Sequence, residues 1–253
     1  MAGPGFVQEV FASFQGEGTH VGRRTVFVRT AGCALRCRFC DTPKALVRTE
    51  FADFHRPEGL FRAKNPVSVA DVVAEVQRLD PPRQAWVSFT GGEPLEQVEF
   101  LAALVPELEG RPIHLETAGV NAPEMERLRP LVDFVALDLK LDSVAHEGDR
   151  TEEHRAFLAA SRGVDRNAKV VINADTDLAE LDRLCALVAE EDRRIPIVLQ
   201  PETPRPTRSE AEVGATAFPE LPRELLERAH AIAARHSDDV RVIPQTHKFL
   251  RLP

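Results

Sequence analysis

Apolar and polar positions along this chain change period many times, and each change marks an element. Residues 6–11 and 24–30 alternate and are rich in β-branched and aromatic side chains, which predicts strands. Residues 45–66 are charged and aromatic without a clean period and read as an irregular, flap-like insert. Ser68, with Asp71 three residues on, then signals a helix over residues 69–79, stopped by Pro81-Pro82. From there the pattern alternates. Strands are expected at 85–89, 113–116, 134–139, 169–173, 195–200 and 240–243. Helices are expected at about 95–108, 123–128, 152–161, 178–190 and 222–235. In the 178–190 helix, Leu181, Leu184, Cys185 and Val188 share one face, which makes Cys185 a small core residue.

Strand–helix alternation implies a parallel sheet with right-handed crossovers. The visible helices are too few for a full eightfold barrel. The expected fold is therefore α/β, a partial (β/α) TIM-like barrel with fewer helices than strands. No repeat, low-complexity tract or linker divides the 253 residues, so a single domain spanning 1–253 is expected, ending in a tail at 244–253. Residues able to do chemistry cluster where strands end: the cysteines after residue 30, Thr90 to Glu93, Glu116-Thr117, Asp138 to Lys140, and Gln200. The C-terminal ends of strands carry the chemistry in β/α barrels.

Composition narrows the function classes. The net charge of −8 argues against a nonspecific nucleic-acid coat, while leaving room for a small anionic substrate met by local positive charge. No stretch of about 18 apolar residues is present, so no membrane span is expected. The first residues lack a basic region followed by an apolar core, so no signal peptide is expected. Clustered free cysteines suit a reducing compartment, and a cytoplasmic location is the expectation.

The densest chemistry is Cys33-Ala34-Leu35-Arg36-Cys37-Arg38-Phe39-Cys40. Two readings fit a C-x3-C-x2-C run. Three thiolates can ligate three irons of a [4Fe–4S] cube and leave the fourth open to another ligand. Alternatively, they can hold structural zinc with a fourth ligand such as His20 or His55, although no second Cys or His pair stands at zinc spacing. Nearby residues have milder alternatives. Gln15-Gly16-Glu17-Gly18 is either a turn or a polar lip presenting an amide and a carboxylate. Arg29, on a buried strand, needs an anionic partner, and a structural salt bridge would satisfy it. Asp41-Thr42-Pro43 is either a turn or a source of hard oxygen ligands for Mg²⁺.

The cysteine run, with an aromatic Phe39 before its last cysteine, together with Gly91-Gly92-Glu93-Pro94 about fifty residues later, resembles the radical S-adenosylmethionine (SAM) superfamily. The wider set resembles the 7-carboxy-7-deazaguanine synthase family over nearly the whole chain. That set is Phe14-Gln15-Gly16-Glu17-Gly18, Arg29, Cys40-Asp41-Thr42, Glu116-Thr117, Asp138-Leu139-Lys140, Gln200-Pro201 and Gln245-Thr246-His247-Lys248.

The resemblance implies a ring contraction of 6-carboxy-5,6,7,8-tetrahydropterin with loss of ammonia, in queuosine and deazapurine biosynthesis. It implies a [4Fe–4S] cluster on Cys33, Cys37 and Cys40, and SAM held at Phe39, Thr90, Gly91, Gly92 and Glu93, with Thr117, Lys140 and Gln200 on its remainder. It implies Mg²⁺ on Thr42, with Asp41 supporting it, and the pterin at Phe14, Gln15, Gly16, Glu17, Arg29 and His247. The C-terminal carboxylate of Pro253 would line the pterin pocket, with the tail closing the site. The implied partners are the small-molecule pterin, a flavodoxin or ferredoxin as electron donor, and a second copy in a homodimer; none is a nucleic acid or a membrane. A glycyl-radical-enzyme activase would share the cysteine and Gly-Gly-Glu-Pro motifs, but it gives no reason for Gln15, Glu17 and Thr42.

Overall fold

The computed structural model describes residues 3–204 and 221–252. Ten strands form one sheet, in the order β10-β9-β8-β7-β6-β5-β2-β1-β3-β4. The parallel part runs from β2 (Arg24–Thr30) through β5 (Trp86–Gly91), β6 (Ile113–Thr117), β7 (Phe134–Leu139), β8 (Asp165–Ile172) and β9 (Ile197–Pro201) to β10 (Val240–Val242). On the other side β1 (Val7–Phe14) runs antiparallel to β2. The central strands are buried on both faces, as a parallel sheet covered by helices requires.

The helices follow the expected alternation. They are α1 (Val69–Leu79), α2 (Val98–Leu104), α3 (Ala122–Leu128), α4 (Asp142–Ala145), α5 (Thr151–Ala160), α6 (Leu178–Glu191), α7 (Arg223–Ala233) and α8 (Thr246–Leu250). Ser68 caps α1 in the expected box: its hydroxyl accepts from Asp71 N, while the Asp71 carboxylate accepts from Ser68 N. Around the outside, α2 packs on α3, α3 on α5, α5 on α6 and α6 on α7. Cys185 is buried in the core face of α6 with Leu181, Leu184 and Val188.

Two expectations are corrected. The 45–66 segment is largely regular: β3 (Phe51–Arg56) and β4 (Gly59–Lys64) form a hairpin that extends the sheet beside β1. Its alternation was hidden because β4 is an edge strand, exposed along nearly its whole length, so only β3 shows a buried face at Ala52 and Phe54. Arg56 ties the hairpin to α1 through the buried Glu75 carboxylate at 2.8 Å. The expected helix at 95–108 is α-helical only in its middle, with 3-10 turns at Pro94–Gln97 and Val105–Leu108. Pro106 lacks the N–H that a further α turn requires.

The sheet curls. In strand order β2, β5, β6 and β7 separate β1 from β8, yet the loop after β1 reaches β8: Thr19 Oγ1 donates to Asn167 Oδ1 at 3.2 Å, and Glu17 pairs with Lys169. That closure across the concave face makes the structure a partial barrel, and it leaves a cavity at the C-terminal ends of the parallel strands.

Candidate active site

The cavity has a volume of about 410 Å³ and is lined by residues from β1, β2, β5, β6, β7, β8 and β9, by the cysteine loop, and by the C-terminal segment. Cys33, Cys37 and Cys40 all face it. Their loop leaves β2 through Ala31-Gly32 and is closed by Gly32 N donating to Ala45 O at 2.8 Å. A turn from Cys40 N to Cys37 O (3.0 Å) folds the second and third cysteines together, and Arg38 N donates to Ala145 O at 2.9 Å, fastening the loop to α4. Burial raises the Cys33 thiol to about 11 and raises Cys37 as well. Partly buried thiols of this kind give up their protons when a metal binds.

The Gly-Gly-Glu segment is pressed onto the start of that loop. Gly92 N donates to Thr30 O at 3.0 Å and Glu93 N to Gly32 O at 2.8 Å. A Cβ on Gly92 would overlap the Gly32 carbonyl, and Gly91 adopts φ +114°, a conformation glycine tolerates. Glu93 itself is buried behind the wall rather than lining the cavity. Its carboxylate accepts from Leu95 N (3.0 Å), Ala118 N (2.8 Å) and Thr117 Oγ1 (2.8 Å), which locks the end of β5 to the end of β6. Burial raises its pKa against the pull of these donors.

Along the next wall, Lys140 pairs with Asp138 at 3.0 Å and lies 4.9 Å from the centroid of the Phe39 ring, a cation–π contact. Buried His154 orients this strand end. Its Nε2 accepts from Lys140 N at 2.9 Å, so its Nδ1 carries the proton and donates to Gly119 O at 2.9 Å. Gln200, at the end of β9, is buried, and among the described residues its Oε1 has no hydrogen-bond partner. Asp138 Oδ1 is likewise unpartnered. Unpartnered polar atoms on the wall of a cavity suit a ligand that supplies the missing bonds.

A polar floor lies below. Gln15 Nε2 donates to Glu116 Oε1 at 2.8 Å, and Thr90 Oγ1 donates to Glu116 Oε2 at 2.9 Å. Ser88 Oγ donates to Glu116 Oε1 at 3.1 Å and accepts from His114 Nδ1 at 2.8 Å. Burial, with Lys169 and Arg23 nearby, lowers His114 to about 3 and keeps it neutral. The other side of Gln15 accepts from Glu17 N at 3.0 Å, so the floor fixes the Gln-Gly-Glu-Gly lip.

Glu17 is the centre of the lip. Lys169 pairs with its Oε2, and Gln245 Nε2 donates to its Oε1 at 2.7 Å. Gln245 Nε2 also donates to Asp41 Oδ2 at 2.7 Å, and Lys248 pairs with that Asp41 oxygen at 3.1 Å. Burial alone would raise Glu17, but the charge and hydrogen bond of Lys169, with Gln245 and His247, hold it down to about 2. Thr246 N donates to Gly16 O at 2.9 Å, and His247 packs so close to Gly16 that a Cβ there would overlap its ring. Burial lowers the pKa of His247. The ligand atoms of Glu17, Asp41 and His247 lie within 4.8 Å of one another, a spacing that admits a cation. Each of the two carboxylates, however, already faces its own ammonium group.

Arg29 has the salt bridge its buried strand calls for. Its Nε donates to Glu9 Oε1 at 2.8 Å, and the same side chain lines the cavity beside Phe11. Phe14, Thr42, Thr90, Thr117 and Gln200 also line it; Pro253 lies outside the described residues. Lys169 is the residue sequence reasoning missed. A lysine within Ala168-Lys169-Val170-Val171-Ile172 is as conspicuous on a buried strand as Arg29 is on β2. Neither histidine suggested for zinc serves the cysteines: His20 stacks on Phe134 and His55 bonds to Glu9. Three cavity-facing thiols beside unpartnered Gln200 and Asp138 oxygens fit a cluster with an open iron and a second cofactor next to it.

Residues 27–170 match the radical SAM superfamily. The chain is 36% identical over 258 residues to the 7-carboxy-7-deazaguanine synthase of Geobacter sulfurreducens, covering 99% of both chains. It is 32% identical to the enzyme of the same name from Methanothermobacter thermautotrophicus, covering 97% of each. Its fold is similar to the crystal structure of QueE from Escherichia coli, with a TM-score of 0.60 at 22% identity over 95% of this chain and 93% of that one.

Proposed function

This chain belongs to the radical SAM superfamily and, within it, to the 7-carboxy-7-deazaguanine synthase family, and we propose a division of labour among its residues on that footing. The reaction is the conversion of 6-carboxy-5,6,7,8-tetrahydropterin to 7-carboxy-7-deazaguanine with release of ammonia, a step of queuosine and deazapurine biosynthesis. The single observation that carries the assignment of roles is one cavity with two differently lined halves. A cysteine-lined half carries unpartnered polar atoms, and a lip carries an ionised Glu17.

When bound, the [4Fe–4S] cluster and SAM supply the one-electron chemistry that removes a hydrogen from the pterin and later returns one. Cys33, Cys37 and Cys40 hold the cluster. Phe39, Thr90, the Gly91-Gly92 backbone, Thr117, Lys140 and Gln200 hold SAM, and Glu93 keeps that wall aligned. Glu17 accepts the N–H donors of the pterin edge. Arg29 takes the pterin carboxylate, with its Nε already braced by Glu9 so that the guanidinium is fixed when substrate arrives. Gln15 works through Glu116 as part of the floor, and His247 covers the lip. Thr42 would hold a Mg²⁺ through hard oxygen chemistry, and the ion would supply positive charge for an anionic substrate. Outside the cavity we propose a cytoplasmic homodimer served by a flavodoxin or ferredoxin. No described helix is long and apolar enough to cross a membrane.

Ammonia release tests the reading. The reconstituted enzyme, given SAM, dithionite, Mg²⁺ and the pterin, should release one ammonia per pterin consumed. SAM cleavage without ammonia would keep the superfamily and remove the substrate.

A further inference from the structure

The lip is built around a lysine that reaches it from the far side of the barrel. Lys169 stands in the middle of β8, 152 residues from Glu17 along the chain, and its side chain is 13% exposed. Its ammonium faces Glu17 Oε2 and also Asp138 Oδ2 at 3.3 Å. Asp138 in turn holds Lys140 at 3.0 Å, beside Phe39 and the cysteine loop. Four charges therefore alternate in a row, Glu17, Lys169, Asp138, Lys140, from the lip to the cysteine-lined half. A buried lysine is costly unless paired, and here both neighbours in the row are carboxylates.

The consequence for Glu17 is geometric. An ionised carboxylate has about four lone-pair directions. Lys169 occupies one on Oε2, and Gln245 occupies one on Oε1 at 2.7 Å. That leaves one direction on each oxygen. Such a pair matches a ring edge with two adjacent N–H donors and repels an edge that presents a carbonyl oxygen.

We propose that Lys169 is a positioning residue that holds Glu17 as a fixed two-point acceptor, and that it thereby sets the preference for a 2-amino-4-oxo ring over its 2-oxo counterpart. The proposal rests on the reading of Glu17 as the acceptor of the pterin edge. Lys169 does not itself touch the ring. The charged groups around Glu17 are Lys169 from β8, Asp41 from the cysteine loop, and His247 and Lys248 from α8, with Glu116 acting on Lys169 from β6. Without Lys169, Glu17 joins Asp41, Asp138 and Glu116 with one cation fewer. It then rotates away or takes up a proton, and either change spoils the paired acceptor.

The test uses the reconstituted holoenzyme and two ligands, the carboxytetrahydropterin and its 2-oxo analogue, with the ratio of their dissociation constants as readout. Wild type should prefer the pterin by at least about 100-fold, because a site built to bond N–H donors penalises their loss strongly. Lys169→Met should bring the ratio below about 10-fold, and Lys169→Arg should restore most of it. The double variant Glu17→Gln/Lys169→Met should discriminate no worse than Glu17→Gln alone, since one acts through the other. A wild-type ratio in Lys169→Met, or additive losses in the double variant, would overturn the role of Lys169. If Lys169→Met does not fold, Lys169→Gln carries the test, and an unchanged ratio there overturns it equally. A wild-type enzyme that binds both rings alike overturns the reading of Glu17, a distinct failure visible before any variant is made.

Discussion

Gly92 crosses Gly32 so closely that Gly92 has no room for a side chain: a Cβ there would overlap the Gly32 carbonyl oxygen, which also accepts from Glu93 N at 2.8 Å. This contact joins the Gly-Gly-Glu segment to the start of the cysteine loop. Gly92→Ala must push the two apart, because the obstacle is backbone. The expected cost is about 1–3 kcal/mol of stability and at least about tenfold weaker SAM binding. Thermal melting with equilibrium SAM binding checks both, and wild-type values for the two would refute the clamp.

Gln200 separates ligand binding from stability. Its buried Oε1 has no partner among the described residues, so there it carries a desolvation cost that a bound ligand would relieve. Gln200→Leu is expected to leave the melting temperature unchanged or slightly raised, while SAM binding weakens by about 5- to 10-fold, the worth of one hydrogen bond. A large loss of stability with unchanged SAM affinity would assign Gln200 to the fold instead.

Lys140 faces Asp138 at 3.0 Å and the Phe39 ring at 4.9 Å. Lys140→Met removes both interactions, but Lys169 still faces the same Asp138 oxygen at 3.3 Å. The expected loss is about 1–3 kcal/mol, below the usual cost of stranding a buried charge. Melting temperatures of Lys140→Met and Asp138→Asn against wild type give the comparison. The aspartate variant should fall further, because it strands Lys140 and leaves Lys169 with Glu17 alone.

The Glu17–Lys169 pair predicts a pH dependence with a definite sign. Glu17 is held near 2 in the folded protein against an ordinary 4.5, so the unfolded chain takes up this proton first. The pair therefore contributes its full stability above about pH 4.5 and loses it as pH falls towards 2. At neutral pH the contribution is up to about 3 kcal/mol. Denaturation of wild type and Glu17→Gln from pH 6 to 2.5 should show a gap that closes on acidification, and a constant gap would contradict the pairing.

Much of this was legible in the sequence where local chemistry and fold agree. The Ser68–Asp71 box, the strand–helix alternation and the cysteine and Gly-Gly-Glu-Pro motifs are all local signals, and they describe what the structure has. The β3–β4 hairpin was illegible because an edge strand has no buried face to set a period. Lys169 was conspicuous as a charge on a buried strand, but its partner was not: Glu17 lies 152 positions away, and only the curl of the sheet brings them together. The Glu93 motif position was plain in the sequence, while its bonds to Leu95, Thr117 and Ala118, which join β5 to β6, were not.

The most direct test of the central claim is product identity. The protein, purified without oxygen, reconstituted with iron and sulfide and supplied with SAM, dithionite, Mg²⁺ and 6-carboxytetrahydropterin, is assayed for 7-carboxy-7-deazaguanine by mass spectrometry. The account predicts product from wild type and none from Cys37→Ala. A colourless, iron-free protein, or an iron–sulfur protein that cleaves SAM and leaves the pterin intact, would contradict it.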